Sequence, residues 1–239
     1  MTSMGRLAFA AAVVLTAATL AACTAPPAPP PASPGVGQQA SFVLANPAGL
    51  LGLDSGGHVI GRIVDLPAQS APATPVLHPS GKSMVFALTG QPDKKTGFGS
   101  DLYSVNLDGT GYRPVVQHEG DNVFYASPRF AAKGCEILFS AAGHAVGTLS
   151  PSTASSSAGK PGLAHLSIPS FLYLAPCDGT SVKEVVQTVD DVVPAWSPDG
   201  TQVAYVGTGA FFVLTLANGN VRTLAQGQDF FFGDLVWLK

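Results

Sequence analysis

Acidic side chains recur at three places in the chain, each just before a short apolar segment. They are Glu119 and Asp121, Asp190 and Asp191, and Asp229 and Asp234. Carboxylate oxygens bind divalent cations and cationic partner groups, so a cluster of them would provide either kind of site. The spacing matches no calcium-binding loop, and a single aspartate can equally cap its own turn. Both interpretations stay open, and no metal ion or cofactor is predicted.

An aromatic run, Phe230 to Phe232, directly follows Asp229. Large rings are usually buried, which favours their packing between two structural units. If exposed, the same rings would anchor a partner, because aromatic residues are enriched at interface hot spots. The candidate binding face consists of Asp121, Asp190, Asp191, Asp229, Phe230 and Phe231. Lys94, Lys95 and Phe98, in a polar segment, are expected to adjoin this face.

Motifs of catalytic sites are absent from the sequence. The chain has no Gly-x-Ser-x-Gly, no His-Glu-x-x-His and no Cys-x-x-Cys, and its 5 histidines lack metal-ligand spacing. With 12 basic and 15 acidic residues, the formal net charge of −3 provides no basic surface for nucleic acid. We therefore predict a protein that is not an enzyme and does not bind nucleic acid.

A twelve-residue segment from Pro194 to Tyr205 indicates the elements that position these side chains. Pro198, Asp199 and Gly200 form a turn between a short apolar segment and a strand rich in β-branched and aromatic residues. Weaker copies of the segment begin at 74 and 126, and the first has His78 where Ser197 stands. The pattern Pro-x-Trp-Ser-Pro-Asp-Gly resembles the TolB-type, or WD40-like, β-propeller repeat over about residues 75 to 239.

This resemblance implies an all-β fold, a β-propeller of about four four-stranded blades that binds other proteins. The predicted blades span residues 41–64, 75–116, 127–187 and 193–224. The first has only three strands, and Asp234 to Lys239 is expected to add the fourth and close the ring, with Trp237 in the place of Trp196. A partial propeller completed by a second copy is the alternative. In this geometry the acidic segments surround one mouth of the central channel.

The N-terminal residues are predicted to be an export signal, 1–22. Arg6 precedes an uncharged, Ala-rich stretch from Leu7 to Leu20 that is short for a transmembrane span. The segment ending in Cys23 resembles the bacterial lipobox, which implies that Cys23 is lipidated and holds the protein to the membrane. An ordinary secretory signal is the alternative. Residues 23–39, rich in proline, are predicted to be a linker, with the propeller domain at 40–239.

Cys135 and Cys177 are the remaining cysteines of the chain. An exported protein lies in an oxidising compartment, where two cysteines usually form a disulfide. The blade assignment places the two residues side by side at the base of a long loop, 142–167. We therefore predict a structural disulfide in an envelope lipoprotein that binds a protein or peptide partner. The alternative function is capture of a small ligand, sugar or cation at the channel mouth.

Overall fold

The computed structural model describes residues 31–132, 134–143, 169–189, 192–227 and 235–238. Within them the chain forms one short helix and a succession of antiparallel strands. Every strand pairs with its neighbour in sequence inside four consecutive units, of which the first has three strands and the others four. The predicted all-β propeller fold is confirmed by this succession of blades.

The bounds of the elements follow the predicted blades closely. The first blade, preceded by α1 (Val36–Gln39), contains β1 (Phe42–Asn46), β2 (Gly49–Leu53) and β3 (Val59–Arg62). The second contains β4 (Ala71–Leu77), β5 (Ser83–Thr89), β6 (Gly99–Asn106) and β7 (Arg113–Val116). The third contains β8 (Val123–Phe130), β9 (Glu136–Ala142), β10 (Pro169–Pro176) and β11 (Lys183–Val189). The fourth contains β12 (Ala195–Trp196), β13 (Gln202–Gly207), β14 (Ala210–Thr215) and β15 (Asn220–Gln226).

Strand β5 shows why these segments are continuously apolar. Met84, Phe86 and Leu88 belong to the core shared with the first blade, whereas Val85 and Ala87 belong to the core shared with the third. Successive side chains of a strand point to opposite faces, so a strand between two blades must be apolar on both. The hydrophobic core therefore lies in layers between blades.

The sequence segment around Trp196 is part of the framework. The Trp196 indole Nε1 donates to the backbone carbonyl of Arg129 in the third blade at 3.2 Å. Ser197 Oγ donates to Asp199 Oδ1 at 2.6 Å and accepts from the backbone N of Gln202 at 2.9 Å. These bonds fix the turn between β12 and β13 and join two neighbouring blades.

The packed body begins before the predicted boundary at Ala40. The backbone of Ala32 forms a bridge to Arg62 on β3, and the backbone N of Gly35 donates to the carbonyl of Asp108. Val36 is 6% exposed and belongs to the core between the first two blades. An apolar side chain among proline and glycine residues is enough to hold this part of the predicted linker against the propeller.

The predicted closing strand is not confirmed in the described part of the C-terminus. Residues 235–238 belong to no strand, and among the described residues β1 pairs only with β2. Leu235 and Trp237 instead line a cavity of about 330 Å³ against the outer face of the fourth blade, beside Ala204 and Leu224. That face is apolar, so burial of the terminal side chains against it competes with pairing at the first blade.

Candidate functional site

A polar cleft of about 450 Å³ opens where the segment before β4, the loop between β5 and β6, and the end of β7 meet. It lies at the end of the blades where the sequence predicts the channel mouth. The polar lining residues are Ser70, Gln91, Asp93, Lys95, Thr96, Asp101, Tyr103, Gln117 and His118. We refer to this site as the mouth cleft.

The wall of the mouth cleft contains a hydrogen-bonded pair, the partly buried Asp101 and the buried His118. Asp101 Oδ1 accepts two hydrogen bonds from His118, from the backbone N at 2.8 Å and from the ring Nδ1 at 2.6 Å. Because the carboxylate can only accept, Nδ1 carries the ring proton. In the neutral imidazole the other nitrogen, Nε2, is then a hydrogen-bond acceptor.

His118 Nε2 has no hydrogen-bond partner, although the residue is only 5% exposed. A buried polar atom without a partner costs roughly 1–3 kcal/mol, so native proteins usually provide one. The residue lines the mouth cleft, so a bound group that carries an N–H or O–H could supply the missing bond once a small shift of the ring or of Gly99 exposes the nitrogen. This atom is the strongest indication of a ligand in the described part of the chain.

Gly99, at the start of β6, lets the main chain approach this histidine. A Cβ on Gly99 would lie 2.6 Å from Cδ2 and 2.8 Å from Nε2 of His118, and would collide with the backbone carbonyl of Val123. Gly99 also pairs in parallel with Val123 on β8, which joins the second blade to the third. The wall of the cleft therefore depends on a residue without a side chain.

Two aspartates hold the loop between β5 and β6 over the cleft. Asp93 Oδ1 accepts from the backbone N of Lys95 at 2.7 Å and from the backbone N of Thr96 at 3.3 Å, and these two bonds lower the pKa of Asp93. Asp121 Oδ1 accepts from the backbone N of Phe98 at 2.8 Å. Lys94 and Lys95 remain exposed on this loop, and Phe98, 36% exposed, packs edge-on against Phe124.

The structure places the predicted binding face only in part. Asp121 lies beside the mouth cleft, where its carboxylate caps the β5–β6 loop, so its described role is structural. Lys95 lines the cleft, and Phe98 lies between Gly97 and Gly99, which also line it; that these residues adjoin the predicted face stays a prediction. Asp190, Asp191, Asp229, Phe230, Phe231 and Cys23 lie outside the described residues.

The predicted disulfide between Cys135 and Cys177 is present. The two sulfurs are 2.07 Å apart and the two Cα atoms 5.3 Å apart, at the end of the third blade away from the mouth cleft. It joins the start of β9 to the end of β10, as the blade assignment predicts. The expected position at the base of the loop 142–167 is wrong, because that loop follows the end of β9 and the disulfide lies at the other end of this strand pair.

Asp101 and His118 are the site residues that the sequence analysis missed. Their signal is the hairpin between β6 and β7, whose turn at Asp108 and Gly109 is recognisable in the sequence. Leu102 pairs with Val116, so Asp101, the preceding residue of β6, must lie close to the residues that follow β7. Extending the register of this hairpin beyond that pair would have predicted that the Asp101 carboxylate lies near the His118 imidazole.

No family model matches the chain, and no curated protein matches it. Among solved structures, it is similar to a nidogen/laminin complex, with a TM-score of 0.50 and 14% sequence identity. The match covers 78% of this chain and 59% of the other. A putative TolB from Agrobacterium tumefaciens has a TM-score of 0.48 and 19% sequence identity over 77% of this chain and 62% of that one. TolB from Acinetobacter baumannii has a TM-score of 0.44 and 18% sequence identity. This match covers 74% of this chain and 37% of the other.

The chain thus spans less than two thirds of the length of each of these structures. At such identities the likeness concerns the fold alone. The chain has a β-propeller fold, and its function has to be argued from the mouth cleft. In the described part of the chain, no helix has both the length and the apolar character needed to cross a membrane.

Proposed function

We propose that this chain is an exported binding module, held to the membrane through a lipid on Cys23, whose mouth cleft captures a polar segment of a partner protein. The observation that carries the proposal is the buried, unpartnered Nε2 of His118 in the cleft wall. A serine or threonine hydroxyl, or a peptide N–H, has the hydrogen that this acceptor lacks.

The surroundings of the cleft support a protein partner. The loop between β5 and β6 exposes Phe98 and two lysines beside the cleft, and aromatic residues with a polar rim are typical of protein interfaces. The exposed charges of Lys94 and Lys95 favour a partner segment that carries carboxylates. Asp93 and Asp101 are already engaged in hydrogen bonds within the site, which reduces their repulsion of such a segment.

A role in binding without catalysis is part of the proposal. An Asp–His pair acts as a base in hydrolases only when a nucleophile lies within hydrogen-bond reach of the free nitrogen. Ser70 lines the cleft, but its Oγ donates to the backbone carbonyl of Pro67 at 2.7 Å. None of the hydroxyl groups in the described part of the chain bonds to His118 Nε2.

Co-purification from detergent extracts of native membranes tests this function. Lys95→Glu reverses a charge on the cleft, and Lys82→Glu makes the same change in the β4–β5 turn at the other end of β5. We expect the wild type and Lys82→Glu to retain a common partner, and Lys95→Glu to lose it. Equal recovery with both variants, or no partner with the wild type, would contradict the proposal.

A second candidate is a small polar ligand such as a sugar in the same cleft. The volume of about 450 Å³ lies within the range of roughly 300–1,000 Å³ typical of small-molecule sites. A sugar hydroxyl can donate to His118 Nε2 as well as a peptide group can. A rise in melting temperature with soluble glycans, absent in His118→Ala, would favour this candidate, because only a ligand of the folded state stabilises it.

A further inference from the structure

The disulfide between Cys135 and Cys177 has an imidazole next to it. His78 Nε2 lies 3.4 Å from Cys135 Sγ, and the nitrogen and both sulfurs lie within 4.8 Å of one another. Cys135 is exposed, whereas Cys177 and His78 are partly buried. The two cysteines therefore differ in exposure, and the more exposed residue is the one whose sulfur lies beside the histidine.

Hydrogen bonding fixes the tautomer of His78. The backbone N–H of Ser80 donates to Nδ1 at 3.0 Å, so this nitrogen must accept. In the neutral ring the proton then resides on Nε2, which faces Cys135 Sγ. The ring is held in this orientation by an edge-on contact with Phe130, with ring centroids 4.8 Å apart.

An N–H directed at a sulfur stabilises the thiolate more than the thiol or the disulfide. The thiolate is the form of cysteine that attacks a disulfide and the form that leaves when a disulfide is cleaved. This geometry therefore singles out Cys135 as the reactive cysteine.

Cys177 is held in place to reform the bond. Its backbone N donates to the carbonyl of Cys135 at 3.0 Å, next to the pairing of Glu136 with Pro176. The Arg113 guanidinium donates to the carbonyl of Cys177 at 3.3 Å. These contacts do not involve either sulfur, so they persist when the disulfide is open.

We propose that Cys135, His78 and Cys177 form a thiol–disulfide exchange site for thiol and disulfide compounds. An external thiolate attacks Cys135 Sγ, the bond to Cys177 breaks, and Cys177 leaves as a thiolate that takes a proton from water. A second external thiolate attacks the outer sulfur of the mixed disulfide, and Cys135 leaves as a thiolate facing His78. Two external thiols thus become one disulfide while the protein disulfide becomes two thiols, and the reverse reaction restores it.

The first test uses the full chain with Cys177→Ser and glutathione disulfide as the probe. Cys135 is expected to gain one glutathione, located by peptide mass mapping so that Cys23 is not mistaken for it. His78→Ala should slow this reaction about tenfold, because a hydrogen bond to a charged group contributes about 1.5–3 kcal/mol. His58→Ala is the control, because His58 bonds to Asp54 away from this site. Equal rates in the two histidine variants would overturn the proposal.

The second test leaves both cysteines intact, in case Cys177→Ser disturbs the fold. The chain is equilibrated with glutathione and its disulfide, and the reduced fraction is measured while circular dichroism monitors the sheets. We expect reduction without loss of β structure and a several-fold smaller equilibrium constant for reduction in His78→Ala. Reduction only after unfolding, or an unchanged constant, would show that the disulfide is structural.

Discussion

At the scale of single residues, two aspartates in segments that the sequence highlights have structural roles. Asp199 is the clearest case, because its carboxylate accepts hydrogen bonds from Ser197 and Thr201 in one turn. These bonds, led by the one from Ser197, lower the pKa of Asp199 to about 2. Asp121 likewise serves the backbone of Phe98. The sequence leaves two interpretations open for the recurrent acidic residues, and at Asp121 the structure shows the capping role.

Asp199→Asn should lower the melting temperature at pH 7 and have a smaller effect near pH 2. Since the pKa in the folded chain lies below its ordinary value of 3.8, the stabilisation is present above that value. It is lost as the pH falls through about 2. Thermal unfolding of wild type and variant across this range measures the difference, with Glu119→Gln, an exposed carboxylate, as the control. A difference in melting temperature between wild type and Asp199→Asn that stays the same at low pH would contradict this role of Asp199.

Individual residues also differ in how far their environment can be predicted from the sequence. Cys135 and Cys177 could be paired because their strands were recognisable. The environment of His118 could not be derived from residue types, because it depends on the register of β6 and β7 and on how closely Gly99 approaches. The tautomer of His78 likewise depends on the conformation of the turn that contains Ser80.

At the scale of elements, the blades were predictable because turn residues and apolar strands repeat in the sequence. The second, third and fourth blades lie within a few residues of the predicted spans, and the second and third begin earlier because β4 starts at Ala71 and β8 at Val123. The proline-rich segment was harder to assign, since one valine among turn formers gives no periodic signal. Val36 packs against Gly52 and Gly61, and a Cβ at either glycine would collide with the Val36 side chain.

Gly99→Ala should destabilise the second blade, because the new Cβ collides with the backbone of β8 and with His118. We expect a loss of about 1–3 kcal/mol in the free energy of unfolding, as is typical of overpacking. Gly90→Ala, on the same β5–β6 connection, is the matched control because a Cβ there meets nothing within 4 Å. Urea denaturation compares the two, and equal stability would argue against the close approach at Gly99.

At the scale of the whole molecule, the layers between blades explain the behaviour of the tyrosines. All 5 tyrosines of the chain have a raised pKa, and burial is the main cause for each. For Tyr112, Tyr125 and Tyr205 the pKa rises to about 12. Aromatic pairs such as Tyr205 with Phe212 stack within these layers.

Alkaline titration should therefore show little tyrosinate near pH 10 in the native chain. Because the pKa in the folded state lies above the ordinary value of 10.0, stability is present below that value and falls as the pH rises towards about 12. Ultraviolet absorbance of tyrosinate, in native buffer and in denaturant, provides the comparison. Half-ionisation near pH 10 under both conditions would show that the rings are not enclosed between blades.

The whole-molecule arrangement leaves the mouth cleft and the disulfide at opposite ends of the blades. Strand β5 begins near His78 and ends at the loop that covers the cleft. If both proposals hold, partner capture at one end and thiol exchange at the other are separable, and a variant at either end should leave the other activity intact. Repetition of blades predicts this architecture from sequence, whereas the chemistry at each end depends on loops that do not repeat.

Site-specific photo-crosslinking tests the central claim, that a partner protein occupies the mouth cleft. A photoreactive phenylalanine analogue replaces Phe98, beside the cleft, in one variant and Lys82 in the other, and each full chain is irradiated in native membranes. We expect a crosslinked partner from position 98 and none from position 82. Crosslinks of equal yield from both positions, or from position 82 alone, would contradict it.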